Sequence, residues 1–319
     1  MKNAMIAFKE TQQEMTMPTY RGTAGNDTRT GSANGTNSFL DFGEGADWLT
    51  GGNRNDTFVL TVDQWADSVD GGNGRDLVDY SNADRGLWVD LGTGTTQAIY
   101  RVPGLFSELV ESFDVQLGFP VITTTLTNIE DVIGSAYGDR LVGSDGDNVI
   151  EGGGGADVID GGDGNDTASY QRSSEAVYVD LNGYASINLG LDLIPHPGLG
   201  FGGDAQGDRL FSIENVIGSD YNDTLAGNVY ANVLTGGEGV DTFVFRGLVG
   251  NDTITDFDAR GNDHDVIQIS RDWFADFNEL EQHITRENGN VVITLDENNS
   301  ITLEDVNIRH LDASDFDFI

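Results

Sequence analysis

The acids of this chain are phased. From Gly134 to Ser169 the sequence runs GSAYGDRLV, GSDGDNVIE, GGGGADVID, GGDGNDTAS, and the sixth places hold Asp139, Asn148, Asp157 and Asp166. The eighth places hold Leu141, Ile150, Ile159 and Ala168. An oxygen donor and an apolar residue thus recur in step, the pattern of a turn followed by a very short strand. If two units make one coil, residues eighteen apart stack, with Asp157 over Asp139 and Asp166 over Asn148. Two carboxylates about 4 Å apart repel by roughly 4 kcal/mol at an effective dielectric near 20, so the stack calls for a cation. Glycines such as Gly152, Gly154, Gly161 and Gly164 let the turns point carbonyls inward. Carboxylates plus carbonyls describe a hard-cation shell. Calcium, with about six to eight oxygen ligands in tolerant geometry, suits it better than magnesium.

The same beat recurs on either side. GSDYNDTLA, GNVYANVLT and GGEGVDTFV, from Gly218 to Val244, place Asp223, Asn232 and Asp241 at sixth positions. Their eighth positions are Leu225, Leu234 and Phe243, and the one evident acid pair is Asp223 with Asp241. Toward the N-terminus, GTAGNDTRT, FGEGADWLT, GGNRNDTFV and GGNGRDLVD supply Asp27, Asp47, Asp56 and Asp76 with slips of register between them. Those slips predict a first block that binds cations less regularly than the second.

The unit GGxGxDxUx resembles the RTX, or haemolysin-type, calcium-binding repeat. The resemblance implies an all-β fold, a right-handed parallel β-roll, with several calcium ions held between turns. Carried over by position, one site uses Asp139 and Asp157 with carbonyls of Ser135, Tyr137, Gly152 and Gly154, and its mate uses Asn148 and Asp166. Asp252, in the stretch GNDTITDF, falls in a segment similar to the closing part of such rolls, as do Asp256, Asp263 and Asp265.

A larger repeat encloses the small one. GGNGRDLVDYSNADRGLWVDLG from Gly71 parallels GGDGNDTASYQRSSEAVYVDLN from Gly161, and NIEDVIGSAYGDRLVG from Asn128 parallels SIENVIGSDYNDTLAG from Ser212. The organisation expected is a tail at 1–20, roll blocks at 21–80, 128–170 and 212–268, linkers at 81–127 and 171–211, and a cap with an export signal at 269–319. Both linkers open with alternating patterns typical of strands, Leu87–Leu91 and Val177–Leu181, and then contain irregular excursions, Ile99–Thr125 and Ile187–Gly203. The excursions are expected to pack on the roll, with an exposed contact site as the alternative. In the cap, Trp273, Phe274, Phe277, Leu280 and Ile284 have helix-like spacing over 271–284, and 290–295 with 300–303 read as a hairpin covering the last rung.

Composition fits an elongated solenoid, with 43 glycines among 319 residues and a hydrophobic fraction of only 38%. The net charge of −38, from 54 acids against 16 bases, argues against nucleic acid or an anionic bilayer as a direct partner. There is no cysteine, so disulfides cannot brace the roll and metal binding becomes folding free energy. Extracellular calcium modules typically bind at about 10⁻⁴ to 10⁻³ M, so such a chain would fold after export.

No stretch is long enough for a membrane span, and residues 1–20 lack a signal-peptide core. The resemblance implies secretion through a type I machinery of a Gram-negative bacterium, and the acidic and apolar ending Leu311–Ile319 is similar to its C-terminal signals. Histidine occurs only at 196, 264, 283 and 310, with no HExxH and no GxSxG, so a non-enzymatic role is expected. The partners expected beyond calcium are an acidic exopolysaccharide or a surface receptor, in adhesion or matrix bridging. A host-interaction effector or cytotoxin is the alternative, and an RTX-bearing enzyme with an unfamiliar site ranks last.

Overall fold

The computed structural model describes residues 17–63, 65–99, 123–182, 197–247, 249–260 and 264–319. Most of the two excursions, residues 100–122 and 183–196, therefore lies outside the described residues. Within the rest the chain winds as a roll whose successive short strands alternate between two long sheets. In the middle block Asp131–Ile133, Val149–Glu151 and Thr167–Ser169 pair in parallel on one sheet. Arg140–Val142 and Val158–Asp160 pair in parallel on the other.

A three-residue strand turns only its central side chain inward. The interior is accordingly about one residue wide per rung, and the eighth-position residues fill it. Leu141, Ile150, Ile159, Ala168, Leu225, Leu234 and Phe243 have no solvent exposure. In register, Val89, Leu141, Ile159 and Leu210 form one inward column, and Val132, Ile150, Ala168 and Val216 form the facing one. At the N-terminal end the columns become aromatic, with Phe39 stacked on Phe58 at 4.6 Å and on Tyr20 at 5.0 Å.

The linkers are built alike. Leu87–Asp90, Thr95–Ala98 and Thr123–Thr127 form an antiparallel meander. Its last strand pairs in parallel with Ser68–Gly72 of the block before, and its first with Arg140–Val142 of the block after. Tyr178–Asp180, Gly198–Phe201 and Arg209–Phe211 repeat this, the last strand pairing with Val158–Asp160 and the first with Thr224–Ala226. Each linker thus inserts three strands, in reversed spatial order, where a plain roll would insert one. The opposite sheet runs on without a break, Leu77–Asp79 to Asp131–Ile133 and Thr167–Ser169 to Asn215–Ile217. The buried tyrosines Tyr80 and Tyr170 stand at equivalent points, and their hydroxyls donate to Thr96 Oγ1 (2.9 Å) and Asp208 Oδ2 (3.1 Å).

The cap differs from its sequence pattern in one respect. The helix is a single turn, Phe277–Leu280, started by Asp276, whose carboxylate accepts the N–H groups of Asn278 and Glu279. That extended capping residue breaks the helical spacing of 271–284, and Ile284 already belongs to a strand. Ile284–Glu287, Asn290–Thr294 and Ser300–Leu303 make an antiparallel meander, and Ser300–Leu303 pairs in parallel with Asn251–Ile254 of the roll. The C-terminal strand Phe316–Phe318 closes the other sheet against Val266–Ile269.

Candidate metal centre

The sixth-position side chains line the two edges of the roll, in the turns between sheets, and nearly all are buried. They form two ladders in which a backbone N–H of one rung donates to the carboxylate of the next. On one edge Asp139 N–H reaches Asp157 Oδ1 at 2.8 Å and Asp157 N–H reaches Asp208 Oδ1 at 2.8 Å. Asp27, Asp47 and Asp67 repeat the series at 2.7 and 3.0 Å, as do Asp223, Asp241 and Asp265 at 2.8 and 2.9 Å. The other edge carries Asn37, Asp56, Asp76 and Glu130, then Asn148, Asp166 and Glu214, then Asn232 and Asp252.

In five of the acids the ladder uses one carboxylate oxygen and leaves the other. Oδ2 of Asp47, Asp76, Asp157, Asp166 and Asp252 is buried with no hydrogen-bond partner. Burial of an acceptor without a donor is costly, and more so for a charge. Oδ2 of Asp76 and of Asp166 stands near a carbonyl oxygen. A β-carbon at the first glycine of the turn would collide with the sixth-position carboxylate and a carbonyl of the next rung. This holds for Gly51 (Asp56 and Gly71 O), Gly71 (Asp76 and Asn128 O), Gly134 (Asp139 and Gly152 O), Gly161 (Asp166 and Ser212 O) and Gly218 (Asp223 and Gly236 O). The glycine therefore keeps open a place where carboxylate and carbonyl oxygens converge. At Asp76 and Asp166, whose Oδ2 has no donor, an all-oxygen set of this kind fits a hard cation, whereas Oδ2 of Asp56, Asp139 and Asp223 already accepts a backbone N–H of its own turn. Among the described residues no three His, Asp or Glu side chains cluster as a metal cage, so carbonyls must complete any shell.

The acids respond to this burial. Desolvation raises Asp139 and Asp166 to about 6, and Asp67, Asp76, Asp241 and Asp252 to about 7. Asp157 and Asp208 are both pushed upward, by desolvation first; for Asp157 the neighbouring charge of Asp208 adds to it.

Not every sixth position is alike. Ser135 donates its N–H to Asp139 Oδ2 (2.6 Å) and its hydroxyl to Oδ1 (3.0 Å), and Leu87 N–H also reaches Oδ1 (2.6 Å). Asp223 is held in the same way by Ser219 and Val177, and Asp27 by Thr23 and Arg29. Asp56 Oδ2 likewise accepts the Gly52 N–H (2.5 Å), so a cation at any of these four acids would have to displace donors. Of the backbone groups expected near Asp139 and Asp157, the Gly152 carbonyl faces Asp139, and Gly152 itself lies against Asp157 Oδ2. The Ser135 carbonyl packs against Gly153, the Tyr137 carbonyl lies beside Gly155, and Gly154 lies over Ala136. Gly155 has φ +146°, and a β-carbon there would sit 2.6 Å from the Tyr137 carbonyl carbon. Gly155→Ala should therefore destabilise the calcium-loaded protein by about 1 to 3 kcal/mol, read as a lower melting temperature.

Asn148 and Asn232 supply their own cation substitute. Each amide nitrogen donates to a carbonyl, Asn148 to Glu130 O (2.5 Å) and Asn232 to Glu214 O (2.7 Å). Each amide oxygen accepts an N–H from its own turn, from Ser144 and Asn228, both at 2.7 Å. Asn148→Asp would set a carboxylate oxygen against the Glu130 carbonyl. The gap in melting temperature between chelator and calcium should widen, by about 2 to 4 °C for each kcal/mol lost in chelator.

The first block is more regular than its register slips suggested. Its rungs are twenty residues apart from Asp27 to Asp47 to Asp67 and from Asp56 to Asp76, and nineteen from Asn37 to Asp56, where those of the middle block are eighteen apart. Counting by eighteen missed Asp67 and Asn37, whereas the spacing of Asp27 and Asp47 points straight at Asp67. Asp208 was missed because it stands in the second linker, outside the nine-residue beat, and Glu130 and Glu214 because they fill sixth places one unit before the runs that open at Gly134 and Gly218, nine residues ahead of Asp139 and Asp223. Their signal was the parallel between NIEDVIG and SIENVIG.

The match to a family model agrees with this geometry. The chain matches the RTX calcium-binding nonapeptide repeat in four copies, over residues 43–59, 133–168 and 217–254. Among curated proteins none matches. Among solved structures it aligns with the extracellular lipase LipA of Serratia marcescens at 15% identity and a TM-score of 0.27, covering 93% of this chain. The chain spans 39% of that lipase's length. Phased acids, position-one glycines, parallel rungs and four matched repeats together make this chain an RTX-repeat protein, with a parallel β-roll built on calcium-binding nonapeptides.

Proposed function

We propose that the chain is a secreted protein that folds when it meets extracellular calcium and then acts without catalysis at the cell surface or in the matrix. The observation that carries this is the set of buried carboxylate oxygens at Asp47, Asp76, Asp157, Asp166 and Asp252, which no protein donor satisfies. These five acids are the leading ligands in this reading, with carbonyls of the adjoining turns completing each shell. Bound calcium would neutralise stacked charge and tie successive rungs together; the protein's part is to orient the oxygens and exclude water. In a low-calcium cytosol the same acids hold the chain open, which suits export through a type I machinery.

An acidic polysaccharide is the partner this reading favours. A chain of charge −38 can meet a polyanion only through shared cations. Trp65, Tyr137 and Tyr221, each two residues before a ladder acid, are about half exposed and offer flat apolar faces next to those turns. Binding to beads coated with an acidic polysaccharide should require millimolar calcium, be lost in chelator, and be absent from neutral dextran beads. Equal retention on dextran would contradict the bridge. No described helix is long and apolar enough to cross a membrane, and leakage from calcium-loaded liposomes would favour the cytotoxin reading instead.

A further inference from the structure

Where each linker rejoins the roll, the second ladder ends on a glutamate. Asp76 N–H donates to Glu130 Oε2 at 2.7 Å, and Glu130 N–H donates back to the Asp76 carbonyl at 3.1 Å. At the second junction Asp166 N–H donates to Glu214 Oε2 at 2.9 Å and receives the same return bond at 3.1 Å. Both glutamates lie outside the segments matched by the nonapeptide repeat.

Each junction also holds an unsatisfied oxygen. Oδ2 of Asp76 and of Asp166 is buried without a hydrogen-bond partner, and both residues have no solvent exposure. Across the bare faces of Gly71 and Gly161 these oxygens meet the carbonyls of Asn128 and Ser212. Asn128 and Ser212 share a further property, a left-handed φ of 50°. A non-glycine residue pays for that conformation, and here it appears twice at equivalent places, turning a carbonyl toward an orphan carboxylate. Asn148 and Asn232 then hold the glutamate-bearing turns through Glu130 O and Glu214 O.

We propose that Asp76 with Glu130 and Asp166 with Glu214 form two calcium sites peculiar to the junctions, completed by the Asn128 and Ser212 carbonyls. In these sites the turn that re-enters the roll after the linker supplies a glutamate where the repeat would supply its next aspartate. The two ions would fasten each linker to the block before it. This rests on the calcium reading above, and its test separates the two.

The test is calcium stoichiometry by equilibrium dialysis at saturating calcium, alongside the far-UV spectrum. Glutamine keeps an oxygen to accept the Asp76 or Asp166 N–H and removes the charge. Glu130→Gln and Glu214→Gln should each bind one ion fewer per chain than the parent, and the double variant two fewer, with the loaded spectrum retained. Asn128→Gly and Ser212→Gly keep the carbonyl and relieve the backbone, so they should keep the parental count. A parental count in the double variant overturns the junction sites and leaves calcium binding standing. A parent that takes up no calcium overturns both. If the glutamine variants fail to recover the loaded spectrum, anomalous diffraction from crystals of the calcium-loaded parent decides. Peaks beside Glu130 and Glu214 support the sites, and their absence overturns them.

Discussion

In chelator, lowering the pH from 8 to 5 should restore β structure that neutral pH removes. The acids on the ladders have folded-state values raised above the unfolded 3.8 by desolvation, to about 6 for Asp139 and Asp166 and about 7 for Asp67, Asp76, Asp241 and Asp252. A raised value means that the folded chain holds its protons longer than the unfolded one. The stabilisation is therefore complete below the unfolded value and is lost as pH rises through about 6 to 7. Self-repulsion within a chain of charge −38 weakens in the same direction on acidification. Asp27, Asp84, Asp296 and Asp312 are lowered and oppose the trend, but each is held by local hydrogen bonds, to Thr23, Arg85, Asn298 with Asn299, and Ser314, away from the orphan oxygens. The expected gain in the melting temperature of the metal-free protein between pH 8 and pH 5 is about 10 °C or more, from several groups acting together. Stopping at pH 5 stays clear of the isoelectric point near 4.1. In calcium the sign reverses, because protons compete with the ion: the calcium midpoint should rise as pH falls through the same window. A metal-free melting temperature that is flat from pH 8 to 5 would refute the buried-charge account.

Asp157→Asn is the second large effect, and its diagnostic value lies in two opposite signs. Asn retains an oxygen that can accept the Asp139 N–H, so the ladder bond of 2.8 Å survives. It removes a buried charge that Asp208 repels and that leaves Oδ2 without a partner. In chelator the variant should be more stable than the parent. In calcium it should be less stable, with a folding midpoint at least about tenfold higher, because one charged ligand is gone and a tenfold change is about 1.4 kcal/mol. Asp157→Ala leaves the Asp139 N–H unpaired and so loses in both conditions. A midpoint for Asp157→Asn equal to that of the parent would remove Asp157 from the ligand set.

Much of this was legible in the sequence because a period of nine fixes both the inward residue and the edge residue of each rung. Leu141, Ile150 and Ile159 are inward for the reason that Asp139, Asn148 and Asp157 are at the edge. Stacking at eighteen was legible for the same cause. What periodicity could not show was a change of coil length, which hid Asp67, or a reversal of strand order, which hid Asp208; Glu130 and Glu214 do keep the period, nine residues before Asp139 and Asp223, but lack the glycines that mark a repeat. Antiparallel return strands in the linkers leave no mark on a nine-residue beat. Nor could residue type alone separate Asp139, already satisfied by Ser135 and Leu87, from Asp157, whose second oxygen has no partner. The aromatic spacing of 271–284 misled because the extended cap at Asp276 confines the helix to one turn.

The central claim is that calcium, and not packing alone, holds this roll. Far-UV circular dichroism of the protein, titrated with calcium at pH 7.5 from a chelated start and with magnesium as control, tests it most directly. A cooperative gain of β signal is expected near millimolar calcium, with no equivalent gain from magnesium at equal concentration. A fully folded spectrum in chelator, unchanged by calcium, would contradict it.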